Sequence, residues 1–198
     1  MELLCDRIVD RMVTYSLIPL EDKPFYSYEL QVLLESIIAH FSIMLLALLC
    51  GYFLEVFLFT LSFSLLRMHT GGFHCKTNIG CIIMSIATCT LVVYVCLMAE
   101  HHYWIITLMV LGAAIVIFVV GTVNNSKLDL SHDEYVETAR ASRKWLQVLI
   151  IGLVLLRLLN VGSYYISFVE MGFVVCAASM ILAKITMKGG GCYEEDRT

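Results

Sequence analysis

Two histidines, two cysteines and a pair of glycines crowd into the fifteen residues Arg67-Met68-His69-Thr70-Gly71-Gly72-Phe73-His74-Cys75-Lys76-Thr77-Asn78-Ile79-Gly80-Cys81, with apolar stretches on both sides. Thiols and imidazoles in one short segment suit nucleophilic catalysis: a histidine takes the proton of a thiol, and the thiolate attacks a carbonyl. Ionisable groups at the edge of lipid cost free energy unless they serve a site. This polar island is therefore the candidate site, and most of the remaining chain reads as scaffold.

Spacing separates the candidates. His74 and Cys81 are seven residues apart; on one unbroken helix they would share a face yet stand about 10.5 Å apart along the axis, too far for proton transfer. The Gly71-Gly72 pair and the polar Lys76-Thr77-Asn78 run instead put His74 in a loop, with a helix starting near Asn78 and Thr77 or Asn78 as its N-cap. Cys81 then falls in the first turn, where the dipole and unsatisfied N–H groups stabilise a thiolate and could hold an oxyanion. Cys75 is the competing nucleophile and His69 the competing base. Cys75 directly follows His74, and adjacent residues seldom turn their side chains toward each other. The bland alternative is a loop that only solvates and packs. His69, His74, Cys75 and Cys81 could supply four zinc ligands, but their spacing matches no ordinary finger or ribbon, and neither a metal nor another cofactor is expected.

The elements that must carry this island are membrane spans. The 198 residues are 60% hydrophobic and 15% charged, with a mean hydropathy of +0.84, too little polar surface to coat a soluble globule. A net charge of -4 without a basic stripe excludes nucleic-acid binding. A helix needs about 20 apolar residues to cross a roughly 30 Å hydrocarbon slab. Leu30 to Gly51, Ile79 to Ala99, Tyr103 to Thr122, Leu146 to Asn160 and Tyr164 to Ala183 approach that length. Tyr52 to Leu66 is shorter and follows the first span after only a Cys50-Gly51 break, as a tight hairpin partner, a steep short helix or a re-entrant piece. The expected fold is an all-α integral membrane protein of about six transmembrane helices.

Charge gives an independent reading of the topology. Six spans put Arg7, Arg11, Lys23, Arg67, Lys76, Lys127, Arg140, Arg143, Lys144, Lys184, Lys188 and Arg197 on one side, twelve of the thirteen basic residues, and that side is expected to be cytoplasmic. Both termini and the polar island then face the cytoplasm of a multi-pass cell-membrane protein. Arg157 alone falls inside a span, and an acid such as Glu170, Glu55 or Glu35 is its expected partner. The first residues are charged and periodic, so no cleavable signal peptide is expected. Within Glu2 to Tyr15, the residues Leu3, Leu4, Ile8, Met12 and Tyr15 oppose Asp6, Arg7, Asp10 and Arg11, which reads as an N-terminal amphipathic helix at the interface; a substrate-guiding role is the alternative. Pro19 and Pro24 mark the turn into the first span. A single membrane domain, 1–198, is expected, with an amphipathic segment at 1–29, a catalytic loop at 67–78, a cytoplasmic loop at 123–145 and a cytoplasmic tail at 184–198. Cys50, Cys89, Cys96 and Cys176 lie in apolar spans and Cys5, Cys75, Cys81 and Cys192 on the reducing side, so no disulfide framework is expected.

The run Arg67-x-His69-x-Gly71-Gly72-x-His74, followed after six residues by Cys81, resembles the signature of the accessory gene regulator B (AgrB) family, membrane endopeptidases of Gram-positive quorum sensing. Size, multiple spans and an amphipathic start fit across nearly the whole chain. The resemblance implies that His74 and Cys81 match the family's catalytic histidine and cysteine, and that Arg67 and Gly72 match its other prominent loop positions. It implies a small AgrD-type precursor peptide as substrate, cut near its C-terminal side and closed into a thiolactone or lactone ring. Many relatives carry a proline-containing segment after the fourth span; here Gly121 to Asp129 contains no proline, so the loop that meets the precursor is expected to differ in shape.

Supporting roles stay open at this level. Arg67 could steer acidic groups, favour the thiolate or anchor the span's end; Gly71 and Gly72 could allow close backbone approach; Asn78 opens the helix. Asn124, Asn125 and Asp129 are candidates to orient His74. Two other classes compete: a small permease using Glu35, His40, Glu55, Arg157 and Glu170 as a polar path, and a non-catalytic membrane scaffold. Ala, Gly and Ser in several spans are compatible with helix association and a homodimer.

Overall fold

Lipid offers the backbone no hydrogen bonds, so a chain of this composition satisfies its own amides within helices. The computed structural model describes residues 2–73, 78–99, 102–123 and 132–189. Their secondary structure is helical: α1 (Glu2–Thr14), a short 3-10 turn (Leu20–Asp22), α2 (Lys23–Cys50), α3 (Phe53–Thr70), α4 (Asn78–Met98), α5 (Tyr103–Val120), α6 (His132–Leu158) and α7 (Ser163–Gly189).

Five of these, α2, α3, α4, α5 and α7, are long and apolar enough to cross a bilayer, roughly the six expected. The difference lies in the expected span Leu146 to Asn160, most of which forms the second half of the 27-residue α6, ending at Leu158. Its first half carries charge, with Asp133 and Glu134 in the first turn and Arg140, Arg143 and Lys144 further on. Acids at the positive end of a helix, followed by good helix formers, extend the span outward. Residues 132–145 are thus helical, where the sequence suggests a loop over 123–145. In the same way α2 begins at Lys23, inside the 1–29 segment, and α7 runs through the start of the 184–198 tail to Gly189.

The short second span is a full helix. Gly51 adopts the left-handed conformation (φ 79°) after α2, and the Tyr52 N–H reaches back to the Ala47 carbonyl at 2.9 Å, a Schellman-type stop that only glycine accommodates cheaply. The chain reverses within two residues, and α3 returns beside α2. It continues through Arg67, Met68 and His69 to Thr70, so the segment assigned to a loop from residue 67 begins as the last turn of a helix.

The core is built around α7. Of its apolar span 61% of residues are buried, against 11% in α4, so α7 is the axis and α4 faces lipid over most of its surface. Phe168, Phe173, Cys176 and Met180 are fully enclosed. Gly172 lets α3 approach: a Cβ there would stand 2.0 Å from Ser62 Oγ, and that hydroxyl donates to the Val169 carbonyl at 3.0 Å.

Several polar groups inside the bundle are locally paired. Arg157 on α6 makes a salt bridge with the fully buried Glu170 on α7, and Thr107 on α5 joins it, accepting from Arg157 Nη2 at 2.6 Å and donating to Glu170 Oε1 at 3.2 Å. Of the three expected partners for Arg157, Glu170 is the one used. Glu55 instead accepts from Tyr164 Oη at 3.2 Å, Glu35 from Gln31 at 2.8 Å, and His40 meets Ser64 Oγ at 3.0 Å. The Tyr164–Glu55 and His40–Ser64 pairs pin α3 to α7 and to α2, whereas Gln31–Glu35 lies within α2.

At the N-terminus, α1 turns Cys5 and Val9 inward while Leu4, Ile8 and Tyr15 are exposed. Asp10 binds Lys23 at 2.6 Å, and Ser27 donates to Asp6, tying α1 to the start of α2. The hydrogen bond and charge of Asp10 push the Lys23 pKa up.

Candidate active site

The last turn of α3 presents Arg67 to the turn that follows it. Gly71 and Gly72 both have positive φ, 64° and 141°, and this lets the backbone fold back under the guanidinium. Arg67 Nη1 donates to the Gly71 carbonyl and to Ser179 Oγ at 3.2 Å, and Nη2 donates to the Phe73 carbonyl at 2.6 Å. Each glycine is required twice. A Cβ on Gly72 would stand 1.5 Å from Arg67 Nη1, and one on Gly71 would stand 2.8 Å from the Val123 carbonyl oxygen. Side chains at such φ values are already strained by roughly 1–3 kcal/mol.

Two further elements close around this turn. After α5, Gly121 (φ 71°) bends the chain so that the Val123 N–H donates to the Thr70 carbonyl at 2.9 Å, with Thr122 Oγ1 on the same oxygen at 3.4 Å. From below, α7 supplies Cys176, whose Sγ lies 3.3 Å from Thr70 Oγ1, and Ser179, whose carbonyl accepts the Phe73 N–H at 3.3 Å. Phe73, Leu66, Val123 and Met180 join in one apolar cluster beneath the turn.

The electrostatics of Arg67 are unusual for a cation in a membrane bundle. The guanidinium is half-buried, and the sulfurs of Cys176 and Cys81 lie close enough to act on it electrostatically. Among the described residues no carboxylate does so. Three oxygen acceptors orient the cation without neutralising it, so a thiolate formed nearby would meet an uncompensated positive charge.

Cys81 is the fourth residue of α4, half-buried in its first turn. The helix begins at Asn78, where the sequence puts it. His74, Cys75 and Thr77 lie outside the described residues, as do Asn124, Asn125 and Asp129; the described chain reaches Phe73, the residue immediately before His74. His69, the competing base, has its ring stacked on Trp145 of α6, with centroids 5.7 Å apart and planes 12° from parallel, which gives it a packing role between α3 and α6. The structure thus brings Arg67, Gly71 and Gly72 together, and it places Cys81 in the first turn of α4.

Sequence reasoning missed Thr70, Val123, Cys176 and Ser179. A cysteine and a serine inside the apolar Val174–Met180 stretch read as small packing residues, and nothing local links Ser179 to an arginine 112 positions earlier.

A family model described as accessory gene regulator B matches residues 5–187. No curated protein and no solved structure matches the chain.

Proposed function

This chain belongs to the accessory gene regulator B family, a multi-pass membrane protein with a role in agr quorum sensing, and on that premise we propose that it is a membrane cysteine endopeptidase acting on an AgrD-type precursor peptide. His74 accepts the thiol proton of Cys81, and the sulfur attacks a carbonyl near the precursor's C-terminal side. The N–H groups of the first turn of α4 stabilise the tetrahedral oxyanion. The C–N bond breaks, the amine leaves with the proton from His74, and an acyl-enzyme thioester remains on Cys81.

Ring closure needs no nucleotide. A cysteine within the precursor attacks the thioester, and acyl transfer from one sulfur to another exchanges bonds of similar energy, releasing a thiolactone and restoring Cys81. A serine in that place gives a lactone. The first step, from amide to thioester, runs uphill, and removal of the cleaved tail draws it forward.

The observation that carries this reading is the half-buried Arg67, held by the carbonyls of the glycine turn and by Ser179, with no carboxylate partner among the described residues. Such a charge favours the anionic sulfur and the anionic transition state alike. Both termini and the site belong, on this reading, to the cytoplasmic face, and the exposed Leu4 and Ile8 of α1, with Tyr15 just beyond it, rest in the inner leaflet. Small residues on the lipid-facing helices suit a homodimer.

The test is conversion of the co-expressed cognate precursor, followed by mass spectrometry. Wild type yields the ring and the free tail, whereas Cys81→Ala and His74→Ala yield neither. Retained cleavage by Cys81→Ala rules the mechanism out.

A further inference from the structure

We propose that Ser179, on α7, is a positioning residue for this acyl transfer: together with Arg67 it seats the Gly71–Phe73 turn, the backbone from which the chain continues to His74. The inference rests on the peptidase reading and adds a residue to that site.

Ser179 holds the turn by two independent groups. Its hydroxyl accepts from Arg67 Nη1 at 3.2 Å and donates to the Cys176 carbonyl of its own helix at 2.8 Å. The donated bond uses the hydroxyl proton and fixes the rotamer, leaving oxygen lone pairs for the guanidinium. Its backbone carbonyl accepts the Phe73 N–H at 3.3 Å, while Arg67 Nη2 holds the Phe73 carbonyl at 2.6 Å. Both polar groups of the Phe73 peptide backbone are therefore held, one by α7 and one by α3. A Cβ on Gly72 would come 3.0 Å from Ser179 Oγ, so the turn passes as close to this hydroxyl as a glycine allows.

The side chain is not needed to keep α7 in place. That helix is held by burial of Phe173, Cys176, Met180 and Ala183 and by the approach of Ser62 to Gly172. Beyond its own helix, the Ser179 hydroxyl serves the site. A catalytic group is aimed by the rigidity of what supports it, and the most buried helix of the bundle is the stiffest platform available.

The experiment compares Ser179→Ala and Ser179→Thr with wild type in the full-length protein in native membranes. It measures precursor conversion at several precursor levels and the iodoacetamide alkylation rate of Cys81, resolved by peptide mass spectrometry. A hydrogen bond to a charged donor is worth enough for a loss of about tenfold. Ser179→Ala is expected to lower kcat and Cys81 alkylation by about that factor, with KM within about twofold of wild type. Ser179→Thr, which keeps the hydroxyl, is expected to recover most of the loss. Unchanged kcat and alkylation in Ser179→Ala overturn the proposal, and so does a fall confined to KM. If the alanine variant does not reach the membrane, Ser179→Cys decides instead, since it fills the same space with a weak acceptor: a lowered kcat supports the proposal and a wild-type kcat overturns it. Cleavage retained by Cys81→Ala would be a separate failure, of the peptidase reading itself.

Discussion

Arg67 and Arg157 both project from helices into a bundle built for lipid, and their partners differ completely. Arg157 meets a carboxylate: Glu170, fully buried, takes its charge, and Thr107 bridges the two. Arg67 meets two backbone carbonyls and a serine hydroxyl. A cation neutralised by an acid is finished as an electrostatic object and serves to fasten α5, α6 and α7. A cation that is oriented without being neutralised keeps its field for whatever negative charge forms beside it. The comparison teaches that hydrogen-bond satisfaction and charge compensation are separate conditions, and that the arginine meeting only the first marks the candidate site.

The largest test of this contrast is to remove Arg157. Arg157→Leu leaves the fully buried Glu170 without its cation; because the Arg157 side chain is itself 38% exposed, the cost is expected to approach, from below, the roughly 3–5 kcal/mol of breaking a pair buried on both sides. Thermal unfolding in detergent should show that loss, while Arg157→Leu with Glu170→Leu should recover most of it. If the single variant unfolds as wild type does, the pair is not a fastening and the contrast fails. Arg67→Leu strands no carboxylate, so its stability loss should be well below that of Arg157→Leu while precursor conversion disappears.

Next in size are Gly72→Ala and Arg67→Lys. The alanine Cβ would overlap Arg67 Nη1 at 1.5 Å, forcing the guanidinium off its carbonyls, and misplacement of about 1 Å near a reacting group can cost about 10²-fold. Lysine retains the charge but cannot donate to Gly71, Phe73 and Ser179 through one rigid fork. Both variants are expected to lower conversion about 10²-fold with the protein still in the membrane. Because Gly72→Ala acts through Arg67, the double variant Gly72→Ala with Arg67→Ala should be no worse than Arg67→Ala alone. Additive losses would mean that the glycine serves something other than the arginine.

Much of this was legible before any coordinates. The polar island, the helix start at Asn78, the amphipathic α1 and an acid for Arg157 all rest on local or one-dimensional signals: residue type, period, caps and the scarcity of charge in an apolar run. What was hidden depends on contacts across the chain. Arg67, His69 and Thr70 read as loop because they are polar, yet α3 continues through them, since the following turn supplies the acceptors that let a cation end a buried helix. The charged first half of α6 read as loop for the same reason. Ser179 left no trace, because in an apolar helix a serine that bonds a distant turn has the same spelling as one that fills a gap.

The smallest expected effect concerns a polar group that meets neither condition. Ser142 on α6 is fully buried, and its hydroxyl has no partner among the described residues. An unpaired buried hydroxyl carries a desolvation cost, and deleting it leaves no other group stranded, so Ser142→Ala should be neutral or stabilising, within about 0.5 kcal/mol of wild type or above it. Thermal unfolding checks that expectation, and precursor conversion should stay at the wild-type level. A loss of conversion at unchanged stability would show that this hydroxyl meets its partner only when the precursor is bound. Ser142 would then belong with Arg67, a group held ready for a ligand, and no longer with the fastenings of the bundle.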